Sequence, residues 1–105
     1  MNENYSMEVI RYSIPEEHRK EFENAYEEAG KLLQSSPFCL GYKVIHGNEE
    51  PDNYIILIRW SSKEDHLNGF RKSAEFMPFF NLIKPFYNNI LEMKHDDLTS
   101  NSYSK

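Results

Sequence analysis

The feature that most constrains this chain is a strand that is apolar on both of its faces. Ile55, Ile56, Leu57 and Ile58 follow one another between Asn53 and Trp60. Successive side chains of a strand point to opposite faces of a sheet, so this strand requires apolar cover on both sides. Each such side chain left in water forgoes about 1.5 to 3 kcal/mol. A chain of 105 residues can cover one face with helices, and we expect a second copy to cover the other.

Hydrophobic periodicity predicts the remaining elements. Apolar residues at three- and four-residue spacing predict a helix that begins at Pro15 and ends before Ser35. Alternating and continuous apolar segments predict strands over residues 7–14, 39–46, 53–60 and 90–95. A second helical region, described next, lies between the third and fourth strands. The order of elements is therefore strand, helix, strand, strand, helix, strand.

The second helical region begins at a capping motif and ends in a phenylalanine-rich segment. Ser61 or Ser62 stands three residues before an acidic residue, which is the spacing of a capping box. Further helical turns follow, which Pro78 is expected to interrupt. The stripe that we expect to be buried in the helix consists of Leu67, Phe70 and Ala74.

This order of elements predicts an α+β, ferredoxin-like βαββαβ fold. Right-handed crossovers give an antiparallel four-stranded sheet of order 4-1-3-2 with both helices on one face. We expect one domain over residues 7–95, an N-terminal extension over residues 1–6 and a flexible tail over residues 96–105. The bare face of the sheet is the face that needs a partner.

The topology also places three residues with chemical potential at one end of the sheet. Trp60 and His95 close the third and fourth strands, which are expected about 10 Å apart at roughly 4.8 Å per strand. His66, in the first turn of the second helix, lies at the same end. The structural alternatives are a core tryptophan, an exposed His66 and a solvated strand end at His95. If the strand faces that carry Trp60 and His95 both look toward the helices, the three residues converge on one apolar cleft.

Composition and motifs exclude several classes of partner. The net charge is −5 and the basic residues are scattered, which argues against nucleic acid. Cys39 is the only cysteine, so an internal disulfide is excluded and a reducing compartment is favoured. The polar start and the lack of a stretch of about 18 apolar residues predict a cytoplasmic protein without a membrane span. No histidine pair has HExxH or HxH spacing, and we expect no metal site.

The segment RWSSKEDHLNGFRKSAEF, with PDNYIILI before it and Pro85 to His95 after it, resembles the antibiotic biosynthesis monooxygenase family of dimeric α/β barrels. The resemblance implies a homodimer whose two sheets close into a barrel, with a pocket in each subunit between sheet and helices. The residues that carry it are Trp60, Glu64, Asp65, His66, Gly69, Phe70, Arg71, Ser73, Glu75, Phe76, Pro85, Phe86 and His95.

The resemblance also implies a function. Well-understood relatives oxygenate polycyclic phenols to quinones without flavin or metal. By this likeness the chain is expected to be a cofactor-independent monooxygenase for a small aromatic, phenolic or quinone-type molecule, with no cofactor. The expected catalytic residues are His66 and His95. The expected substrate-binding residues are Trp60, Phe70, Arg71 and Met93.

Two alternatives stay open. The chain could be a homodimer that binds a small molecule without catalysis. It could also bind or degrade haem, although the haem-degrading relatives use an asparagine on the first strand and a histidine where this chain has Phe80. The quinone-forming relatives, in turn, carry an asparagine where this chain has Ile56.

Overall fold

The structure, a computed structural model, describes residues 5–105. Its sheet consists of strands β1 (Ser6–Ser13), β2 (Cys39–His46), β3 (Asn53–Trp60) and β4 (Ile90–Asp97). They are antiparallel to their neighbours in the order β2-β3-β1-β4, which is the predicted 4-1-3-2 order from the other edge. The predicted ferredoxin-like fold class is therefore confirmed. Residues 1–4 of the predicted N-terminal extension lie outside the described residues.

The two faces of the sheet differ in how well the subunit covers them. Tyr54, Ile56, Ile58 and Trp60 of β3 are each at most 1% exposed beneath the helices. Ile55 and Leu57, which point to the opposite face, are only partly covered. We call this second surface the open face; the strand registers place on it Met7, Val9, Lys43, Ile45, Ile55 and Leu57.

Helix α1 (Arg19–Ser35) packs an aromatic cluster against the sheet. A short 3-10 turn, Glu16–His18, precedes it, so the α-helix begins later than the predicted start at Pro15. Phe22 lies 4.7 Å from the ring centroids of both Tyr12 and Tyr54. These buried side chains hold helix α1 against the end of the sheet opposite Trp60.

The second helical region is more broken than the sequence predicted. The predicted cap is confirmed, because the backbone N–H of Asp65 donates to Ser62 Oγ at 2.9 Å. A π-helical turn, Asp65–Gly69, and a 3-10 turn, Phe70–Lys72, follow before helix α2 (Phe76–Ile83).

Two predictions about this region were wrong. The backbone becomes extended at Ser73, so the helical period ends there and Ala74 is exposed instead of buried. Pro78 lies in the first turn of α2 and does not interrupt it, because a backbone N–H at that place has no helical acceptor to lose.

Strand β4 is two residues longer than predicted. Asp96 and Asp97 pair with Met7 and Ser6 of β1, so the start of the expected tail is part of the sheet. Within residues 5–105, no helix combines the length and the apolar character needed to cross a membrane.

Candidate functional site

A cavity of about 200 Å³ lies between the inward face of the sheet and the second helical region. Its walls are mostly aromatic and aliphatic, and its ionisable groups come from β1 and from the turns after β3. The lining residues are Glu8, Ile10, Ile58, Trp60, His66, Phe70, Arg71, Phe76, Phe79, Phe80, Ile83, Tyr87 and Met93. The cavity is therefore an apolar chamber with one polar end.

The π-helical turn directs His66 into this chamber. The N–H of Phe70 points back to the carbonyl groups of Asp65 and His66, which closes the wider turn. His66 and Phe70 both face inward, and His66 is only 3% exposed. The structural alternative, an exposed His66, is thus excluded.

Trp60 forms the wall beside His66. The two rings stack with centroids 4.2 Å apart and planes within 7° of parallel. The indole N–H of Trp60 donates to Glu8 Oε1 at 2.9 Å. Trp60 therefore fixes both the histidine and the carboxylate at the polar end.

Glu8, His66 and His95 form a line of polar groups, which we call the Glu8–His66–His95 series. Glu8 Oε1 lies 3.6 Å from His66 Nε2. On the other side of the ring, His66 Nδ1 and His95 Nε2 are 2.7 Å apart, which is a hydrogen-bond distance. Glu8 and His66 line the cavity, whereas His95 stands behind His66 on the edge strand.

Burial of Glu8 favours the neutral form of its carboxyl group, and two neighbouring groups oppose this effect. The side chain is 3% exposed, and burial is the main cause that raises its carboxyl pKa above the usual range. The hydrogen bond from Trp60 and the positive charge of Arg71 act in the opposite direction. Glu8 is thus a buried carboxyl group whose proton affinity exceeds that of an exposed glutamate.

The two histidines are held neutral. Burial, followed by the charges of Arg71 and His95, lowers the pKa of His66 to about 3. The pKa of His95 is also lowered, first by burial and then by Lys63 and Arg71, while Asp96 opposes the shift. At neutral pH each ring therefore carries one N–H and one free nitrogen.

The same three side chains could in principle hold a metal ion. One nitrogen or oxygen atom from each of Glu8, His66 and His95 lies within 4.8 Å of the others. Two imidazoles and a carboxylate are a known ligand set for iron. Here, however, each nitrogen of His66 faces a different partner, and the His66–His95 contact is a hydrogen bond. The arrangement is that of a hydrogen-bonded series rather than a chelate.

The structure brings all six predicted site residues to one end of the molecule. Trp60, His66, Phe70, Arg71 and Met93 line the cavity, and His95 contacts His66 from behind. Their roles stay predictions.

The sequence interpretation missed Glu8. The available signal was its place in β1, two residues before Ile10 and four before Tyr12, which puts a carboxylate on the buried face of the strand.

A second, larger groove lies away from this chamber. It measures about 430 Å³ and runs between α1 and strands β2 and β3. Most of its lining is exposed, and it contains neither His66 nor His95. The residues around it are Glu23, Tyr26, Glu27, Tyr42, Lys43, Val44, His46 and Tyr54.

Comparisons with known proteins agree with the family and the fold. The sequence model of the antibiotic biosynthesis monooxygenase family matches residues 6–81, which include Glu8, Trp60, His66 and Arg71. YczJ, an uncharacterized protein of Bacillus subtilis, is 28% identical over 88 residues, covering 84% of this chain and 93% of YczJ.

Solved structures share the fold. A conserved protein from Methanosarcina mazei has a TM-score of 0.71 and 19% identity, covering 91% of this chain and 92% of that one. SnoaB, a cofactor-independent oxygenase from Streptomyces nogalater, has a TM-score of 0.68 and 13% identity, covering 95% and 96% of the two chains. At these identities the likeness shows a common architecture and no more.

Proposed function

The chain belongs to the antibiotic biosynthesis monooxygenase family, and on this premise we propose that it is a cofactor-independent monooxygenase for a small phenol. The observation that carries the proposal is the chamber under Trp60, whose walls are aromatic and whose polar groups are gathered at one end. Such a chamber holds a ring by its faces and a hydroxyl group by its edge. SnoaB, a cofactor-independent oxygenase that shares the fold, supports the same reaction type.

The size of the chamber favours a single ring. Cavities that bind drug-sized molecules measure about 300 to 1,000 Å³, whereas one of about 150 Å³ accepts benzene. At about 200 Å³ the chamber suits a phenol or hydroquinone of one ring. A porphyrin exceeds this space, which argues against the haem alternative.

The polar end defines how the ring would enter. A hydroxyl oxygen placed at hydrogen-bond distance from both Glu8 Oε1 and His66 Nε2 fits their 3.6 Å separation. The ring would then lie against Trp60 and Phe70, with aromatic contacts worth about 0.5 to 1.5 kcal/mol beyond burial. Arg71 lines the same chamber and supplies a positive charge for the anion that forms.

The proposed reaction uses the substrate as its own reductant. Loss of the hydroxyl proton to the Glu8–His66–His95 series leaves an electron-rich phenolate, which reduces molecular oxygen. One oxygen atom enters the ring and the other leaves as water, so a hydroquinone becomes a hydroxyquinone. The protein contributes proton transfer, orientation and a chamber with little water.

We also propose that the working form is a homodimer joined through the open face. An apolar centre is formed there by the partly covered Val9, Ile55 and Leu57 and by Ile45, which is 41% exposed. Charged groups of β1 and β4, such as Arg11 and Glu92, which approach to 4.0 Å, lie on the same face beside this centre. An apolar centre flanked by polar groups is a usual feature of protein interfaces.

Oxygen consumption tests the catalytic proposal. With one-ring hydroquinones we expect oxygen uptake that His66→Ala reduces by at least about tenfold. A side chain that takes part in general acid–base catalysis contributes about a hundredfold or more to the rate. His18→Ala is the matched control, since His18 is exposed and remote from the chamber. A three-ring anthrone should be a poorer substrate.

Two results would contradict the proposal. Tight binding of phenols without oxygen uptake would instead support the non-catalytic binding protein. Uptake that a metal chelator abolishes and added iron restores would assign the reaction to a metal held by Glu8, His66 and His95.

A further inference from the structure

Glu8 is a buried ionisable group whose presence the packing alone does not explain. Burying a carboxylate costs several kcal/mol in effective terms unless charges and hydrogen bonds compensate it. Its only hydrogen bond in the described structure is the one it accepts from Trp60 at 2.9 Å, which a neutral glutamine would accept equally well. The hydrogen bond with Trp60 therefore does not explain why residue 8 is an ionisable carboxyl group.

The position of Glu8 supplies that explanation. Its carboxyl group lines the chamber, and His66 Nε2 is the nearest ring nitrogen at 3.6 Å. That distance is too long for a good hydrogen bond, so both groups retain capacity for a third atom between them. A substrate hydroxyl is such an atom.

We propose that Glu8 is the catalytic base that takes the substrate's hydroxyl proton, and that neutral His66 donates its Nε2–H to the phenolate oxygen. This inference rests on the proposed function and assigns roles within the same site. The O–H bond of the phenol breaks, its proton joins a carboxylate oxygen of Glu8, and its electron pair stays on the phenolate. His95 donates its Nε2–H to His66 Nδ1 across the 2.7 Å contact, which fixes the His66 proton on the chamber side.

Charge balance in the buried chamber favours this division of roles. Transfer to Glu8 moves one negative charge from carboxylate to phenolate and creates no new charge. Transfer to His66 would create a separated imidazolium and phenolate in a site with a low dielectric constant, which costs more. The raised pKa of Glu8 and the lowered pKa of His66 agree with this ordering. Arg71 lines the same chamber, and its positive charge acts on both groups and offsets the negative charge.

Proton linkage during binding tests the assignment without requiring turnover. The probe is para-nitrophenol, whose ionised form has its own visible absorbance band, at a pH just above its solution pKa. Calorimetric titration in buffers of different ionisation enthalpy gives the protons taken up for each molecule bound. For the wild-type protein we expect a proton uptake equal to the ionised fraction of the free probe, which lies between about one half and one at this pH, while the phenolate band is retained.

The matched variants are Glu8→Gln and His66→Gln. Glu8→Gln keeps an acceptor for the Trp60 N–H and should abolish the proton uptake, while thermal unfolding checks that it folds. His66→Gln keeps an N–H donor and should leave the uptake unchanged. Loss of the phenolate band on binding, no uptake by the wild type, no binding of the probe, or equal uptake by Glu8→Gln would each overturn the assignment to Glu8.

These outcomes are separate from those of the oxygenase test. Linkage that depends on Glu8, without oxygen consumption by any phenol, would keep the role of Glu8 and refute the oxygenase. Oxygen consumption with linkage that Glu8→Gln does not alter would keep the oxygenase and refute the role of Glu8.

Discussion

His66 couples the chamber to the stability of the fold. Burial lowers its pKa from 6.5 to about 3 in the folded protein. Between these two values the unfolded chain binds a proton that the folded chain does not, so folding stability falls as the pH falls from about 6.5 towards 3. His95 acts in the same direction, because its pKa is lowered too. Glu8 acts oppositely, since its raised pKa favours the folded state as the pH falls.

Urea unfolding followed by circular dichroism can isolate the His66 contribution. We expect the wild type to lose on the order of one to a few kcal/mol between pH 6.5 and pH 4, since each unit of pKa shift corresponds to about 1.4 kcal/mol. His66→Gln should lose less over the same interval, and the exposed His18→Gln should behave as the wild type. An unchanged slope in His66→Gln would show that the buried ring is not the group responsible.

The histidines and Trp60 could be predicted as neighbours because strand order alone brings their chain positions to one end of the sheet. The Glu8–His66–His95 series could not be predicted. It depends on the register that sets Glu8 opposite His95 and on the turn that rotates His66 inward. Neither the strand register to one residue nor a π-helical turn leaves a clear signal in a single sequence.

Helix α1 contains an internal glycine, Gly30. A glycine inside a helix costs about 1 kcal/mol relative to alanine, so its presence requires a structural reason. The structure shows a close contact: a Cβ at Gly30 would lie 2.0 Å from the hydroxyl oxygen of Tyr42 on β2. The glycine therefore allows the Tyr42 hydroxyl to pass close to the helix and to accept a hydrogen bond from Gln34 at 3.2 Å.

A double-mutant cycle tests this contact between α1 and β2. Gly30→Ala alone should destabilise the protein by about 1 to 3 kcal/mol through overpacking. In a Tyr42→Ala background the same change should stabilise it by up to about 1 kcal/mol, because only the helix propensity remains. Chemical denaturation gives both values. Equal effects in the two backgrounds would remove the contact as the reason for the glycine.

The elements themselves were predicted with uneven success. Strands β2 and β3 have the predicted bounds, because a turn rich in Gly, Asn and Pro separates two clearly apolar segments. The second helical region was predicted as one helix followed by further turns that Pro78 interrupts, whereas it consists of a π-helical turn, a 3-10 turn and the uninterrupted helix α2. Hydrophobic periodicity assumes one helical pitch, and here the pitch changes twice before Ser73.

For the whole molecule, the open face predicts that two copies of the chain assemble into a homodimer. A lysine at position 55 or 57 would place an unpaired charge in the proposed interface. Ile55→Lys and Leu57→Lys should therefore convert the dimer to a folded monomer in light scattering at micromolar concentration. Met77→Lys is the control, since Met77 is 57% exposed on α2 and away from the sheet.

Ile56→Lys should behave differently from its two neighbours. Ile56 is fully buried under the helices, so the charge should unfold the subunit rather than separate the subunits. A wild-type protein of 12.5 kDa in solution, the mass of one chain, would contradict the dimer. The sheet order followed from connectivity rules, whereas a partner for the open face is inferred only from the apolar surface that the folded subunit leaves partly uncovered.

The position of Trp60 has a practical consequence. The chain contains one tryptophan, and that ring is a wall of the chamber and the stacking partner of His66. The intrinsic fluorescence of the protein therefore originates almost entirely at the proposed site. An aromatic molecule that enters the chamber must change the emission of Trp60, so a compound library can be screened for ligands by light alone, before any reaction is known.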